Sequence, residues 1–416
     1  MLKRMLVASW VLATAVAAWA GPITAQGVEN RVIVGFKPGV SVEEARRIIQ
    51  AEGLRVVGEI KEARMFLVES APSRLQAVTG NLKANPKVVD VQRDFYAKWI
   101  EASPQSLQQT PMPSVEAVLK DLPKLGTVGA RPKDGTPGEV QWGVRRVNAE
   151  AAWRTNQGEG VKVCIVDTGI DPNNPDLQGQ VMGGHNAVEE GKPWIDDHFH
   201  GTHVAGIVAA KMDGKGVVGV APKAQLYAAK ALNKDGGGSV FSIMGAVNWC
   251  AQNKMDVINM SLGAQQEIPF LKEIINMALQ QGSAVIAAAG NGDGNGGPAP
   301  VGYPAAYDGV VAVSALGDDD NITKWSSRGP QVAFIAPGLK IPSTVPLSHD
   351  ASGVKAYSGT SMACPHVAGL AALAVAKGAR GPAAVKAALS GAATKLPNLS
   401  ASEQGLGVIN AASLGR

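Results

Sequence analysis

Cysteine, aromatic residues and net charge are all scarce in this chain of 416 residues. Three cysteines are too few for a disulfide-stapled scaffold and cannot all pair within one chain. A hydrophobic core must therefore supply most of the stability. The formal net charge is only +4, which argues against the strongly basic surface that nucleic-acid binding requires. We expect no nucleic-acid partner.

The N-terminus carries the pattern of an export signal. Lys3 and Arg4 precede an apolar run over residues 5–18 that is short for a helix crossing a bilayer. Ala18-Trp19-Ala20 then supplies the small-x-small pattern of a cleavage site. We interpret residues 1–20 as a secretory signal and expect a secreted protein, extracellular or periplasmic, with no membrane partner after its removal. The alternative is a retained N-terminal anchor.

Residues 28–98 have the pattern of a small α+β unit. Strand-like runs lie at 31–36, 54–60, 65–69 and 88–92, and helical patterns begin after Ser41 and at Leu75. The resulting order β-α-β-β-α-β predicts an open-faced sandwich. Residues 99–139 are rich in Pro, Gly, Ser and Gln, and we interpret them as a linker.

From residue 140 to residue 416, short continuous apolar runs alternate with helical patterns. Continuous apolarity indicates strands that are covered on both faces, so we predict an α/β fold with a doubly wound parallel sheet. In such sheets ligands bind beyond the carboxyl ends of the strands. The runs are residues 161–166, 226–231, 257–260, 284–289, 310–315 and 332–336.

Four polar residues lie at the ends of these elements. Asp167 directly follows the first run, where a catalytic carboxylate would be held by a rigid strand, although an Asp that caps a turn gives the same pattern. His200 opens the segment H-G-T-H-V-A-G, and a single histidine there would usually be structural. Asn291 follows the run 284–289 and offers an amide donor, or is simply a turn residue.

Ser361 lies in G-T-S-M-A-C-P-H, just before a strongly apolar helix. The N-terminus of a helix has free N–H groups and a positive dipole end, which suit an oxygen that becomes negative during acyl transfer. A serine that merely caps the helix is the alternative.

Together the four motifs resemble those of the subtilisin-like serine proteases, or subtilases, in the order Asp, His, Ser. The resemblance runs from about residue 140 to the C-terminus. It implies Ser361 as nucleophile, His200 as general base and then acid, and Asp167 as the residue that orients the imidazole. It also implies that Asn291 and the Ser361 N–H form an oxyanion hole. The implied activity is serine endopeptidase cleavage of polypeptide substrates.

The resemblance extends to substrate binding. Two segments resemble those that hold an extended peptide as an added β-strand between them, and they contain Gly236, Gly237 and Gly238 on one side and Ser261, Leu262 and Gly263 on the other. Gly302 falls at the floor of the pocket for the P1 residue, the residue before the cleaved bond. We therefore expect a preference for large hydrophobic P1 residues.

The family also uses structural calcium, and Asp176 and Asp213 match the positions of two side-chain ligands. We expect no cofactor for catalysis. Residues 28–98 resemble the family's inhibitory propeptide, which implies an autoprocessed zymogen cut between about Ile100 and Val140. We expect the chain to be a monomer.

Two other functions fit parts of the sequence. His198, His200 and His203 form H-x-H-x-x-H, which is compatible with a metal-dependent hydrolase but lacks the glutamate base of H-E-x-x-H. An inactive protease-like binding protein is also possible, because a fold does not fix a function.

The cysteines leave one question open. Cys164 and Cys250 would be able to pair after export if their Cα atoms lie close enough, which the sequence does not tell. Cys364, three residues after Ser361, is expected to be a small buried residue.

Overall fold

The structure is a computed structural model, and it describes residues 28–100, 140–292 and 296–415. The predicted signal, residues 1–20, and residues 101–139 of the predicted linker lie outside the described residues.

The N-terminal unit contains a four-stranded antiparallel sheet with the strand order β2-β3-β1-β4. Two amphipathic helices cover one face, and Ser41 begins the first of them by accepting a hydrogen bond from the Glu44 N–H. The elements are β1 (Arg31–Phe36), α1 (Val42–Ala51), β2 (Arg55–Ile60), β3 (Met65–Glu69), α2 (Leu75–Ala84) and β4 (Val88–Arg93). A short strand, β5 (Tyr96–Lys98), follows this sheet and does not join it.

The larger unit is built on a parallel sheet of seven strands with the order β13-β12-β11-β10-β6-β8-β7. Nearly every residue of its central strands is buried, which explains their continuous apolar sequences. The strands are β6 (Lys162–Asp167), β7 (Val181–Asn186), β8 (Gln225–Lys230), β10 (Val257–Met260), β11 (Ala284–Ala288), β12 (Val311–Leu316) and β13 (Val332–Pro337).

Helices cover both faces of this sheet. One core contains the buried sides of α5 (His200–Ala209) and α8 (Thr360–Ala376), and a second core on the other face contains those of α6 (Val240–Gln252) and α7 (Pro269–Gln280). The remaining helices are α3 (Trp142–Arg146), α4 (Glu150–Trp153), α9 (Gly381–Gly391) and α10 (Ala401–Gln404). The remaining strands are β9 (Gly237–Ser239), β14 (Ile341–Thr344), β15 (Val354–Tyr357), β16 (Ala393–Thr394) and β17 (Val408–Ile409).

Within residues 28–100, 140–292 and 296–415, no single helix is long and apolar enough to cross a membrane. Helices α8 and α9 pass that test only as a pair, and they are bent by 106° at the break between them.

The predicted fold class is confirmed, with one strand added. The sequence pattern predicted six strands of the parallel sheet and missed β7, whose sequence V-M-G-G-H-N is neither continuously apolar nor alternating. This strand lies at the edge of the sheet and is mostly half-buried. It therefore needs less apolar surface than the central strands.

The open face of the N-terminal sheet packs on the larger unit. Ile33, Ile60, Met65 and Leu67 share one hydrophobic cluster with α6 and α7. Two glycines make the close approach possible: a Cβ at Gly35 would lie 2.9 Å from the Phe270 ring, and one at Gly58 would lie 2.7 Å from the Phe241 ring. Aromatic rings of the larger unit thereby pack directly against the backbone of two glycines in the N-terminal sheet.

A disulfide joins the sheet to its helical cover. Cys164 on β6 and Cys250 on α6 are bonded, with their Cα atoms 6.0 Å apart, and both are fully buried. Cys364 is the free cysteine of the described residues. It is buried in α8, as expected, and burial raises the pKa of its thiol. The disulfide therefore ties β6, whose last residue is Asp167, to the helix α6 that covers it.

Removal of this disulfide should destabilise the protein. It closes a loop with a sequence separation of 86 residues, so the double variant C164A/C250A should lose about 2–5 kcal/mol of unfolding free energy. Urea unfolding measures this loss, and C364A is the matched control because it removes a thiol but no disulfide. Thiol titration of the denatured wild type should find one reactive group, and three would contradict the bond.

Candidate active site

A buried carboxylate and a buried imidazole form the centre of the site. Asp167 is the last residue of β6, and His200 is the first residue of α5. The His200 Nδ1 lies 2.8 and 2.9 Å from the two oxygens of the Asp167 carboxylate, and both side chains are almost fully buried. Because the carboxylate accepts the Nδ1–H, the His200 Nε2 is left as the basic nitrogen.

A second buried carboxylate fixes the position of α5 against β6. Asp196 accepts hydrogen bonds from the Thr168 hydroxyl and from both the N–H and the hydroxyl of Thr202, at 2.6–2.9 Å. Burial raises the pKa of this carboxyl, and the hydrogen bonds oppose that shift. Sequence analysis missed Asp196, since a lone Asp in a loop carries no catalytic pattern.

Ser361 lies in the first turn of α8, where helix N–H groups have no partner within the helix. Its hydroxyl donates to the Ser261 carbonyl at 3.1 Å, and the His200 Nε2 is buried with no hydrogen-bond partner among the described residues. In this structure the Ser361 hydroxyl is therefore hydrogen-bonded to Ser261 and not to His200. Hydrogen bonds between the groups of an active site commonly become short and well aligned only when substrate binds.

Asn291 lies beside the start of α8. Its side-chain oxygen accepts hydrogen bonds from the Thr360 N–H at 2.8 Å and from the Thr360 hydroxyl at 2.9 Å. These two hydrogen bonds fix the orientation of the Asn291 amide group against Thr360, the residue before Ser361. An amide NH₂ group and a helix N–H thus lie on the same side of the site.

The histidine pattern does not form a metal site. The His203 Nε2 lies 3.0 Å from the Lys355 carbonyl, so it must carry a proton, and the His198 Nδ1 accepts the His200 N–H at 3.3 Å. Within the described ranges, no group of three His, Cys, Asp or Glu side chains is arranged to hold a metal ion. The metal-dependent hydrolase is therefore not supported.

The chain itself occupies the predicted peptide-binding cleft. Strand β5 pairs antiparallel with β9, so Tyr96 lies opposite Ser239 and Lys98 opposite Gly237. Beyond β5, the Trp99 N–H donates to the Gly236 carbonyl at 3.2 Å, and the Trp99 carbonyl accepts from the Gly263 N–H at 3.1 Å.

The glycine segment and the segment 261–263 thus hold one extended strand between them. Trp99 is buried and its indole N–H donates to the Gly238 carbonyl at 2.8 Å. The linker was predicted to begin at residue 99, but Trp99 and Ile100 belong with the bound strand. A three-residue strand after a packed unit has no periodicity that would reveal it.

A pocket opens next to this strand. Its lining residues include Trp99, Leu262, Asn291, Gly302 and Ser361. A Cβ at Gly302 would lie 3.0 Å from the Ala264 carbonyl oxygen, so a larger residue there would narrow the space. The pocket joins the serine, the amide and the predicted floor residue in one cavity.

Asp94 fixes the bound strand to the larger unit. Its Oδ1 accepts the Phe241 N–H at 3.0 Å, in the first turn of α6, while its Oδ2 is buried with no partner among the described residues. Burial raises the pKa of this carboxyl to about 6, against hydrogen bonds and the Arg31 charge, which lower it. The contact thus contains a carboxyl group that is costly to ionise.

The two predicted calcium ligands lie in neighbouring loops. Asp176 accepts the Val217 N–H at 2.9 Å, and its backbone carbonyl accepts the Lys211 N–H. Burial, and then the charge of Asp213, raises the pKa of Asp176. The Lys211 ammonium lies 3.0 Å from Asp213. The charges of the two carboxylates thus interact across the two loops, and carboxylate oxygens are ligands that suit a hard cation.

Comparison with known proteins agrees with this arrangement. The sequence model described as "Subtilase family" matches residues 158–407, and the one described as "Fervidolysin N-terminal prodomain" matches residues 13–92. The chain is similar to the crystal structure of fervidolysin from Fervidobacterium pennivorans, a keratinolytic enzyme related to subtilisin. The TM-score is 0.77 and the identity 26%, covering 93% of this chain and 60% of that one.

Curated relatives include extracellular and intracellular proteases. The chain is 40% identical to subtilisin E of Bacillus subtilis over 293 residues, which cover 69% of this chain and 73% of that one. It is 42% identical to an intracellular serine protease of Paenibacillus polymyxa, covering 56% and 72% of the two chains. It is 43% identical to the minor extracellular protease Epr of Bacillus subtilis over 56% of this chain, but it spans only 35% of that protein.

The buried Asp94 makes the contact between the two units depend on pH. Its pKa is about 6 in the structure against 3.8 for an ordinary carboxyl, so the stabilisation is complete below about pH 4 and is lost as pH rises through 6. Over the whole range, the ratio of closed to open molecules should fall about a hundredfold.

Trypsin cleavage after the exposed Lys98 reports this opening. In a catalytically inactive chain, the cleavage rate of the parent relative to D94N should increase between pH 4.5 and 7, because the variant has no carboxyl to ionise. The ratio cancels the pH dependence of trypsin itself. A ratio that stays constant over this range contradicts the assignment.

Proposed function

The chain belongs to the subtilase family of serine endopeptidases, and we propose that it is an exported peptidase made as an autoprocessed zymogen. One observation carries the proposal: the chain's own strand lies in a cleft beside a buried Asp-His pair and a helix-terminal serine. A binding protein would not need all of these groups.

Catalysis begins when the Ser361 side chain rotates from the Ser261 carbonyl towards the His200 Nε2. The hydroxyl oxygen attacks the peptide carbonyl carbon while the imidazole takes its proton, and Asp167 stabilises the imidazolium. Asn291 and the Ser361 N–H stabilise the oxygen that becomes negative. Collapse of this intermediate breaks the C–N bond, and His200 returns the proton to the leaving amine. Water then hydrolyses the acyl-enzyme by the same route.

The bound strand acts as an intramolecular inhibitor. Residues 96–99 make the backbone hydrogen bonds of an added β-strand, and Ile100 directly follows them beside Gly236. The bond that Ser361 cleaves therefore lies among the first residues after Ile100, near the start of the predicted interval. After cleavage, residues 28–100 would remain bound as an inhibitory prodomain.

The pocket supports a preference for large hydrophobic P1 residues. Its walls include Leu262 and Ala288, and Gly302 leaves its floor without a side chain. No charged side chain is among its lining residues in the described part of the chain. An apolar P1 side chain would therefore be transferred from water into this pocket without burying a charged group of the pocket.

Export is supported by the N-terminal pattern and by the disulfide. Lys3, Arg4 and the apolar run that follows have the form of a secretory signal. The bond between Cys164 and Cys250 favours an oxidising compartment, because disulfides are rare in reducing ones. We propose that the active protein works outside the cytoplasm as a monomer.

We also propose a structural calcium ion held by Asp176 and Asp213, with backbone carbonyls of the loop 211–217 completing the oxygen ligands. A cation there would offset the repulsion between the two carboxylates. The position of Gly216 supports this loop conformation: its φ is +55°, and a Cβ would lie 2.1 Å from the Asp176 carboxylate.

Maturation tests the proposed function directly. The wild-type chain should release a product whose first N-terminus lies within a few residues of Ile100, and S361A should remain uncut because it has no nucleophile. N-terminal sequencing of both products measures this. S348A, which changes an exposed serine, is the matched control and should mature as the wild type does. Normal maturation of S361A would exclude the assignment.

Calcium removal should destabilise the protein without abolishing the fold. At a calcium concentration about 100 times the dissociation constant, binding adds about 2.7 kcal/mol, which corresponds to several degrees in Tm. Thermal unfolding of S361A with and without a chelator measures the shift. D213A should remove most of it, whereas D308A, at an exposed loop position, should retain it. Equal shifts in both variants would rule out the proposed ligands.

A further inference from the structure

A proline lies inside the helix that carries the proposed nucleophile. Helix α8 runs from Thr360 to Ala376 and contains Pro365, four residues after Ser361. In an α-helix, the carbonyl of each residue accepts the N–H of the residue four positions later. Proline has no N–H, and its ring crowds the carbonyl that would have accepted it. The Ser361 carbonyl therefore lacks its regular helical donor at residue 365.

A side chain next to the parallel sheet supplies a donor to this carbonyl. The Ser261 hydroxyl donates to the Ser361 carbonyl oxygen at 2.9 Å, and the Ser361 hydroxyl donates to the Ser261 carbonyl oxygen at 3.1 Å. The two serines are 100 residues apart in the sequence, and each gives its hydroxyl to the backbone of the other. This exchange fixes the first turn of α8 to the segment that follows β10.

Asn259 orients the Ser261 hydroxyl. The Asn259 Nδ2 donates to the Ser261 Oγ at 3.0 Å, and the Asn259 Oδ1 accepts from the Cys364 thiol at 3.2 Å. Because the Ser261 Oγ accepts this hydrogen bond, its own proton is directed to the Ser361 carbonyl. Asn259, Ser261 and Cys364 are fully buried, so their polar groups need partners within the protein.

The strand that carries Asn259 is the central strand of the parallel sheet. Strand β10 pairs with β6, whose last residue is Asp167, and with β11, which precedes Asn291. Asn259 lies opposite Ile165 of β6 and Ile286 of β11. The hydrogen bonds from Asn259 through Ser261 therefore fix the start of α8 to the two strands that place Asp167 and Asn291.

We propose that Ser261 and Asn259 are positioning residues for the nucleophile. The Ser261 hydroxyl, oriented by Asn259, replaces the helical hydrogen bond that Pro365 removes and so holds Ser361 in its place for attack. This inference rests on the proposed peptidase function and assigns it two residues that act through the backbone of the nucleophile.

The side chain and the backbone of the segment 261–263 have separate contacts. The backbone meets the bound strand, since the Gly263 N–H donates to the Trp99 carbonyl at 3.1 Å. The Ser261 hydroxyl instead contacts Asn259 and Ser361. Loss of this hydroxyl alone should therefore change kcat and leave the KM for a peptide nearly unchanged.

The test compares kcat and KM of the mature wild type, S261A, P365A and S261A/P365A on one peptide p-nitroanilide. S261A should lower kcat about tenfold and change KM less than about twofold, because the buried Ser361 carbonyl loses its donor. P365A restores an N–H at residue 365. It should therefore keep kcat near the wild-type value and reduce the loss caused by S261A to less than about threefold.

S283A is the matched control. Ser283 is also buried, and its hydroxyl donates to the Met255 carbonyl at 2.7 Å, before β10 and β11 begin. S283A should therefore lower the Tm as S261A does but keep the wild-type kcat. A kcat loss in S283A as large as that in S261A would mean that lost stability explains both, and the inference would be wrong.

N259A tests the second positioning residue. It should lower kcat as S261A does, and N259A/S261A should be no slower than the slower single variant, since both changes act through one hydrogen bond. Losses that multiply in the double variant would show that Asn259 acts separately and would contradict its assignment.

The remaining outcomes separate this inference from the proposed function. The inference is wrong if S261A has the wild-type kcat, if S261A raises KM instead, or if its kcat loss is equally large with and without P365A. A kcat loss in P365A alone as large as that in S261A also overturns it. In all these cases the peptidase function stands. If the wild type neither cleaves the peptide nor reacts with a fluorophosphonate at Ser361, the proposed function itself fails.

Discussion

The buried pairing of Asp167 with His200 is the constraint on which the rest of the site depends. When an ionised carboxylate is buried away from water, both of its oxygens need hydrogen-bond donors from the protein. Here the imidazole and the Thr168 N–H supply them. This pairing requires α5 to approach the end of β6 very closely. A Cβ at Gly201 would lie 2.1 Å from the Gly169 carbonyl oxygen. A glycine directly after His200 is therefore a requirement of the pairing.

The parallel sheet extends this constraint to the other groups. Asp167 ends β6, and Ser261 and Asn291 come after β10 and β11, which run in the same direction as β6. Their positions at the carboxyl ends of these strands are therefore neighbours in space. Helix α8 then brings Ser361 to the same edge, where Ser261 and Asn291 contact its first turn. The cleft needs an extended strand to satisfy the backbone groups of β9 and of Gly263, and the chain's own residues 96–99 provide one.

Much of this arrangement could be predicted from the sequence, because continuous apolar strands and ordered motifs are local signals. Three features were not predictable in this way. The strand β5 is too short to show a period, and Asp196 acts through hydrogen bonds that join residues of three separate segments. The pairing of Cys164 with Cys250 depends on a Cα separation of 6.0 Å across 86 residues, which spacing alone does not encode. The pattern H-x-H-x-x-H was misleading in the other direction. Its spacing was compatible with a metal site, but its three histidines have different hydrogen-bond partners.

The contact between the N-terminal unit and the larger unit combines favourable apolar packing with an unfavourable buried carboxyl group. Phe241 and Phe270 lie on the bare backbone of Gly58 and Gly35, which gives dense apolar packing. Beside them, Asp94 buries a carboxyl oxygen that has no partner among the described residues, which lowers the net stability of the same contact. The proposed release of the N-terminal unit would be helped by this unfavourable group, because every favourable contact slows dissociation. Asp94, which contacts the first turn of α6, therefore weakens the contact at the point where the bound strand begins, while the packing of Phe241 and Phe270 is left in place.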